Sequence, residues 1–197
     1  MIRGLHHNAY RCRNSEETRR FYEGFLGLPL AGTLEITETK TGRAAEVLHT
    51  FYQLGDGSYL AFFEAPDMAF DFKVQHDFDL HIALEVAPET LEPMRQKGIA
   101  AGIETRGISD HGFIRSIYFR DPNGYVIELT AKGPGHAVEM DPRLFPLALN
   151  GSFRDPTHRG NFSEREAFVI AQFHGGGDNK CHHVHPHALR GASCRSP

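Results

Sequence analysis

The sequence predicts an α+β protein of two paired β-α-β-β-β modules, and three features carry that expectation. Ser116 to Thr130, reading SIYFRDPNGYVIELT, sets runs rich in β-branched and aromatic residues on either side of Asp121-Pro122-Asn123-Gly124, the composition of a β-hairpin with a tight turn. Strand-like and helix-like stretches follow one order twice along the chain, which reads as an internal repeat. The two halves also open alike, with His7-Asn8-Ala9-Tyr10 in one and His81-Ile82-Ala83-Leu84 in the other.

Module one spans residues 1–64, and Ile2 to Cys12 reads as its first strand. Asn14-Ser15-Glu16-Glu17 offers an N-cap with acids in the first turn. Phe21, Tyr22, Phe25 and Leu26 then recur at helical spacing over Thr18 to Leu26, and Gly27 stops the helix. Strands are expected at Leu30 to Thr37, Val47 to Leu54 and Ser58 to Glu64, the last two joined by Gly55-Asp56-Gly57. A connector from Ala65 to Phe78 leads to module two, residues 79–132. There Asp79 to Val86 is a strand, Pro88 to Lys97 a helix with proline in its first turn, and Gly98 its stop. Ile99 to Arg106, Ile114 to Arg120 and the returning arm of the hairpin complete the order.

Side-chain parity assigns the faces. Leu80, Ile82, Leu84 and Val86 form one apolar face suited to a helix, which turns His81, Ala83 and Glu85 the other way. Tyr125, Ile127 and Leu129 part from Val126, Glu128 and Thr130 by the same rule. His7 holds in module one the place that His81 holds in module two. Two histidines at repeat-equivalent positions and a mid-strand carboxylate therefore lie on faces turned from the helices, where two curved sheets can enclose a cleft. His7, His81 and Glu128 are the candidate ligands of a divalent metal.

Composition narrows the partners. A net charge of -4 with scattered Lys and Arg gives no footprint for nucleic acid. The N-terminus lacks the apolar core of a secretory signal, and no apolar run approaches the ~20 residues that span a bilayer, so a cytoplasmic protein without membrane contact is expected. Cys12, Cys181 and Cys194 are too dispersed for a disulfide framework.

The pieces LHHNAYRC with FYEGFLGL after it, DLHIALEV and YFRDPNGYVIEL resemble the vicinal oxygen chelate superfamily. That superfamily includes glyoxalase I, extradiol ring-cleaving dioxygenases, fosfomycin-resistance proteins, methylmalonyl-CoA epimerases and bleomycin-resistance proteins. The resemblance covers most of Met1 to Lys132. It implies a divalent metal held between paired modules, a small-molecule substrate that chelates it through neighbouring oxygens, and a homodimer. Its ligand positions fall on His7, His81 and Glu128. His6 is the rival of His7, but His7 stands two residues before the small strand residue Ala9 and pairs with His81 in the repeat.

Within that family the residues separate the chemistries. Glyoxalase I carries a fourth ligand, a glutamate on the last strand of module one, where this chain has Ala61; Glu64 is the nearest carboxylate and lies on the other face by parity. Two histidines and one carboxylate suit Fe(II), with Mn(II), Ni(II), Co(II) or Zn(II) as other ions the set accepts. Extradiol enzymes have a tyrosine ten positions before the glutamate ligand, and Tyr118 stands ten before Glu128. Their acid-base histidine near the end of module one is replaced here by Gly57-Ser58-Tyr59; His111, in the loop Ser109-Asp110-His111-Gly112, or His76 in the connector is the candidate substitute. The resemblance thus leads to an Fe(II) extradiol-type dioxygenase for a catechol-like diol, with Phe51, Phe62, Phe63, Phe70, Phe72 and Phe78 as candidate walls of an aromatic pocket. A glyoxalase-like lyase or an isomerase or epimerase is the alternative, and a ligand-sequestering resistance protein a further one.

From Gly133 the character changes. Residues 133–197 hold seven of the 13 histidines and few apolar clusters, the composition of a disordered tail with a short helix at Ala167 to Phe173. Lys180 to His187 is metal-like in composition but lacks zinc-site spacing.

Overall fold

Apolar side chains on one parity of each strand bring two sheets against their helices. The computed structural model describes residues 1–141, without the side chains of 138 and 139. The His-rich stretch, Cys181, Cys194 and the helix expected at Ala167 to Phe173 lie outside the described residues. Module one consists of β1 (His7–Cys12), α1 (Ser15–Arg19) continued by a wide turn over Arg20–Phe25, β2 (Leu30–Glu38), β3 (Ala44–Gln53) and β4 (Tyr59–Glu64). Module two repeats this with β5 (His81–Glu85), a tight turn over Pro88–Thr90, α2 (Leu91–Ala100), β6 (Thr105–Asp110), β7 (Ile114–Arg120) and β8 (Val126–Lys132); α3 (His136–Glu139) follows. The sheet orders are β1-β4-β3-β2 and β5-β8-β7-β6. β1 runs parallel to β4 and β5 to β8, and the remaining pairs are antiparallel. One compact unit covers Met1–Glu139.

Register makes the repeat exact at the level of residue pairs. Ala9 lies opposite Ala61 and Ala83 opposite Glu128; Phe51 pairs with Ala61 as Tyr118 pairs with Glu128. Ala61 is thus the counterpart of Glu128 and Phe51 that of Tyr118, which follows from the expected parity.

The helix-facing parity forms the core. Tyr22 packs on Tyr52 and Phe62, with ring centroids 5.5 and 4.6 Å away, and Phe25 meets Phe119 edge-on at 5.1 Å across the module boundary. The hairpin turn is a second junction. Asp121 accepts the Tyr22 hydroxyl at 3.0 Å and the backbone N–H groups of Asn123 and Tyr125, while Asn123 accepts the Arg13 N–H at 2.9 Å. Gly124 has φ of 96° and sits against the Lys73 carbonyl, so this corner of the turn has room only for glycine.

Three boundaries differ from expectation. The first strand begins at His7 because its partner β4 begins at Tyr59; among the described residues, Met1 to Leu5 have no strand to pair with. The start of α1 is as expected: Ser15 follows the Asn14 cap, whose side chain accepts the Glu17 N–H, with Glu16 and Glu17 in the first turn. Gly98 is not a stop. α2 runs through it to Ala100 because a glycine there lets the helix lie directly on Phe119 and Thr105, and Gly102, with φ of 67°, ends the turn instead. The strand expected at Ile99 to Arg106 shifts in consequence to Thr105–Asp110.

Candidate metal centre

On β5, alternation buries Ile82 and exposes His81, as parity requires. The Nδ1 atom of His81 lies 2.6 Å from the Asp77 carbonyl, which can only accept, so Nδ1 carries a proton, and in the neutral ring Nε2 presents a lone pair. That Nε2 faces Glu128 Oε2 at 3.4 Å. Glu128 is 5% exposed, held mid-strand in β8. Its other oxygen accepts the Ser116 hydroxyl at 2.5 Å, and Thr130 Oγ1 lies 3.1 Å from that hydroxyl. Two acceptors facing one another need a proton or a cation between them. Two bonds of roughly 2.1 Å, opened to a right angle or somewhat beyond, place their donor atoms ~3.0 to 3.4 Å apart, so the pair fits adjacent positions on one divalent ion. The carbonyl behind His81 and the hydroxyl behind Glu128 are the outer partners such ligands require.

Tyr118 stands opposite Glu128 in the β7–β8 register. Burial first, and the Glu128 carboxylate next, push its phenol up to about 12, so it stays protonated at neutral pH. His111 Nε2 is 3.1 Å from the Tyr118 hydroxyl. Arg106, paired with Tyr118 from β6, lays its guanidinium 5.1 Å from the Tyr118 ring centre and binds Asp77. Ser109 and Asp110, expected in a loop, belong to β6, and His111 sits at the turn that follows.

His7 lies on the open face of the other sheet. Its ring is 5.5 Å from Phe51 and 6.1 Å from His49, and its Nδ1 is 2.8 Å from that of His6. The structure therefore brings His81 to Glu128 and Tyr118 to His111, and leaves His7 with module one. Among the described residues no three His, Cys, Asp or Glu gather closely enough to hold a metal ion. His76 accepts the Phe78 N–H at 3.1 Å, and Glu64 accepts the Ser15 N–H at 2.6 Å, so each is engaged in local structure. Of the phenylalanines, Phe62 is core, Phe78 is exposed, and Phe51 and Phe63 flank His49 at 4.1 and 3.7 Å.

His49 is the residue that the strand pattern concealed. It lies between Leu48 and the β-branched Thr50, in a stretch that reads as an ordinary buried strand. Register makes it the counterpart of Ser116, since His49 pairs with Phe63 as Ser116 pairs with Thr130. Its Nδ1 donates to the Phe62 carbonyl at 3.0 Å, and desolvation lowers its pKa, so the ring is neutral with Nε2 as the acceptor. Aligning the two modules residue by residue from Ala61 and Glu128 would have found it.

A groove of about 850 Å³ opens elsewhere, lined by residues that include Leu26, Leu54, Leu84, Val86, Met94 and Lys132. It contains none of His7, His81, Tyr118 or Glu128, so its volume says nothing about the metal centre.

The arrangement defines a class: twinned βαβββ modules with imidazole and carboxylate groups on their open faces. The model of the Glyoxalase/Bleomycin resistance protein/Dioxygenase superfamily matches residues 4–129, and the chain belongs to that superfamily. No curated protein matches the chain. Among solved structures, the fosfomycin resistance protein FosX from Listeria monocytogenes, complexed with Mn(II) and sulfate, is 21% identical with a TM-score of 0.53, over 70% of this chain and 99% of that one. FosX from Mesorhizobium loti is 22% identical with a TM-score of 0.50, over 71% and 99%. A glyoxalase/dioxygenase from Nostoc punctiforme is 23% identical with a TM-score of 0.50, over 66% and 92%. These likenesses establish the fold.

Proposed function

We propose that this protein is a divalent-metal enzyme whose ligands are His81, Glu128 and His7, and that the reaction is extradiol-type cleavage of a catechol-like diol with Fe(II). The observation that carries the reading is the row formed by Glu128 and Tyr118, with His111 at 3.1 Å from the phenol, which sets a protonated acid beside a fixed metal ligand. Fe(II) bound there would act as a Lewis acid toward the diol and as the partner of dioxygen. The rest falls to the chain. Tyr118 donates a hydrogen bond to charge developing on substrate oxygen, and His111 exchanges a proton with it. His49, neutral and fixed in one tautomer, offers a base from module one, the group missing at Gly57-Ser58-Tyr59. Phe51 and Phe63 supply the aromatic wall.

The separation of His7 from His81 and Glu128 supports a homodimer in which module one of each chain faces module two of the other. The same ligand set also serves reactions without oxygen. A glutamate-to-glutamine mutant of FosX from Listeria monocytogenes has been captured with Mn(II) and 1S,2S-dihydroxypropylphosphonic acid, a vicinal diol, which supports Mn(II) chemistry without oxygen, an isomerase or epimerase among it, as the second reading. A glyoxalase-like reaction is less well served, because Ala61 stands where a fourth ligand is needed and Glu64 caps α1.

The test is anaerobic reconstitution with Fe(II), followed by oxygen uptake over a panel of catechols. Uptake with a diol supports the dioxygenase; no uptake with any diol removes it. Turnover with Mn(II), Ni(II), Co(II) or Zn(II) in the absence of oxygen establishes the second reading. A protein that binds no metal at all is instead a ligand-sequestering one.

A further inference from the structure

We propose that Asp77 and Arg106 are positioning residues: one ion pair that sets both the ring of His81 and the phenol of Tyr118. The inference rests on reading His81 and Glu128 as metal ligands, and deepens it.

Asp77 acts through two groups at once. Its backbone carbonyl receives the His81 Nδ1 proton at 2.6 Å, and both oxygens of its carboxylate lie 2.7 Å from Arg106 Nη2. His81 opens β5 and Arg106 sits on β6, the first and last strands in the order of this sheet. The turn carrying Asp77 therefore spans the sheet from edge to edge. Beneath the span, Arg106, Tyr118, Glu128 and Ala83 form one continuous row across β6, β7, β8 and β5, and the Arg106 guanidinium stacks over the second member.

The connector has little else to fix this turn. Residues 65–80 form no helix or strand. Gln75 is tied to Gly124 and Arg120, and the turn closes on His76 through Asp79 and Leu80. The Asp77 carboxylate is the group that reaches back to β6. The Arg106 side chain is 47% exposed, so the pair adds little to global stability. Its effect is instead directional: it holds the carbonyl that selects the His81 tautomer and clamps the cation that orients Tyr118.

The experiment uses the full chain with metal removed, labelled with ¹⁵N-histidine and held at alkaline pH where imidazoles are neutral. Long-range ¹H–¹⁵N spectra identify the tautomer of His81, assigned by its loss in His81→Gln, and Co(II) titration followed by visible absorption reads the metal site. Wild-type His81 is expected as the Nδ1–H form. Arg106→Gln and Asp77→Asn each turn it into a mixture and weaken Co(II) binding about tenfold, with melting temperature unchanged and the double variant no weaker than either single one. Arg106→Lys, which keeps the charge but loses the planar stack, falls between. A tautomer and Co(II) affinity unaltered in both single variants overturn the positioning role and leave the metal centre standing. A wild-type chain that takes up no Co(II) removes the metal reading, and the tautomer spectra still decide whether the pair fixes His81.

Discussion

Removing one hydroxyl tests the junction between the modules. Tyr22 is fully buried and its hydroxyl reaches Asp121, 4% exposed, at 3.0 Å. Tyr22→Phe keeps the ring against Tyr52 and Phe62 and opens almost no cavity, so the loss is that of a hydrogen bond to a charged acceptor, about 1.5–3 kcal/mol. The same carboxylate oxygen retains the Asn123 amide at 2.9 Å, which places the expected cost at neutral pH near the lower end, about 2 kcal/mol. The cost also depends on pH. Burial raises the pKa of Asp121, and its hydrogen bonds, Tyr22 among them, pull it back only in part. A carboxyl whose folded pKa is raised favours the fold fully below the ordinary aspartate range, and that contribution is lost as pH rises through the folded value. Taking away the Tyr22 donor raises the folded value further, so the deficit of the variant grows across this window. Below it the bond is a neutral one, worth about 1 kcal/mol. Urea unfolding of metal-free wild type and Tyr22→Phe at neutral pH and at a pH below the ordinary aspartate range measures both figures. A deficit that is the same at both pH values, or larger in acid, would refute an ionised Asp121 at the junction.

Gly98→Ala sets helix propensity against space. The substitution returns about 1 kcal/mol of helix stability, but the new Cβ meets Phe119 Cε1 and Thr105 Oγ1, both at 2.5 Å, and overpacking of about 1–3 kcal/mol outweighs the gain; a lowered urea midpoint is expected, and a raised one contradicts the close approach of α2. Chain exchange is tested by mixing His7→Ala with Glu128→Ala, each unable alone to bind Co(II): exchanged dimers regain about a quarter of the wild-type sites, whereas pairing within a chain regains none.

How far the sequence exposes this molecule depends on which interactions set each feature. The hairpin, the β-α-β-β-β repeat and the faces of His81 and Glu128 are local or periodic, and Asp121-Pro122-Asn123-Gly124 and the alternation along β5 display them directly. The boundary errors come from contacts distant in sequence. Gly98 resembles a helix stop until Phe119 and Thr105 are seen beside it, and the start of β1 is decided by where β4 begins. Asp77 and Arg106 are 29 residues apart, and neither carries a motif; only the fold discloses that a connector turn meets a strand across the sheet. His49 is hidden for another reason: a single histidine in a strand of apolar character carries no periodic signal, and its meaning comes from register with a second module.

That register also gives a physical reason for the asymmetry of the repeat. The row Arg106, Tyr118, Glu128 in module two corresponds to Gly32, Phe51, Ala61 in module one, so each polar group has a small or aromatic counterpart. In the proposed exchanged pair these rows face one another. A carboxylate at position 61 would set a second negative charge in the cleft with Glu128, and like charges in one poorly solvated site drive one of them to bind a proton. Ala61 avoids that conflict, and Phe51 replaces the phenol with a ring that needs no hydrogen-bond partner. In that proposed pair the cleft would have an ionic wall from module two and, from module one, a wall that is apolar apart from His7 and His49, a division that would suit a flat aromatic substrate presenting two oxygens to a cation along one edge.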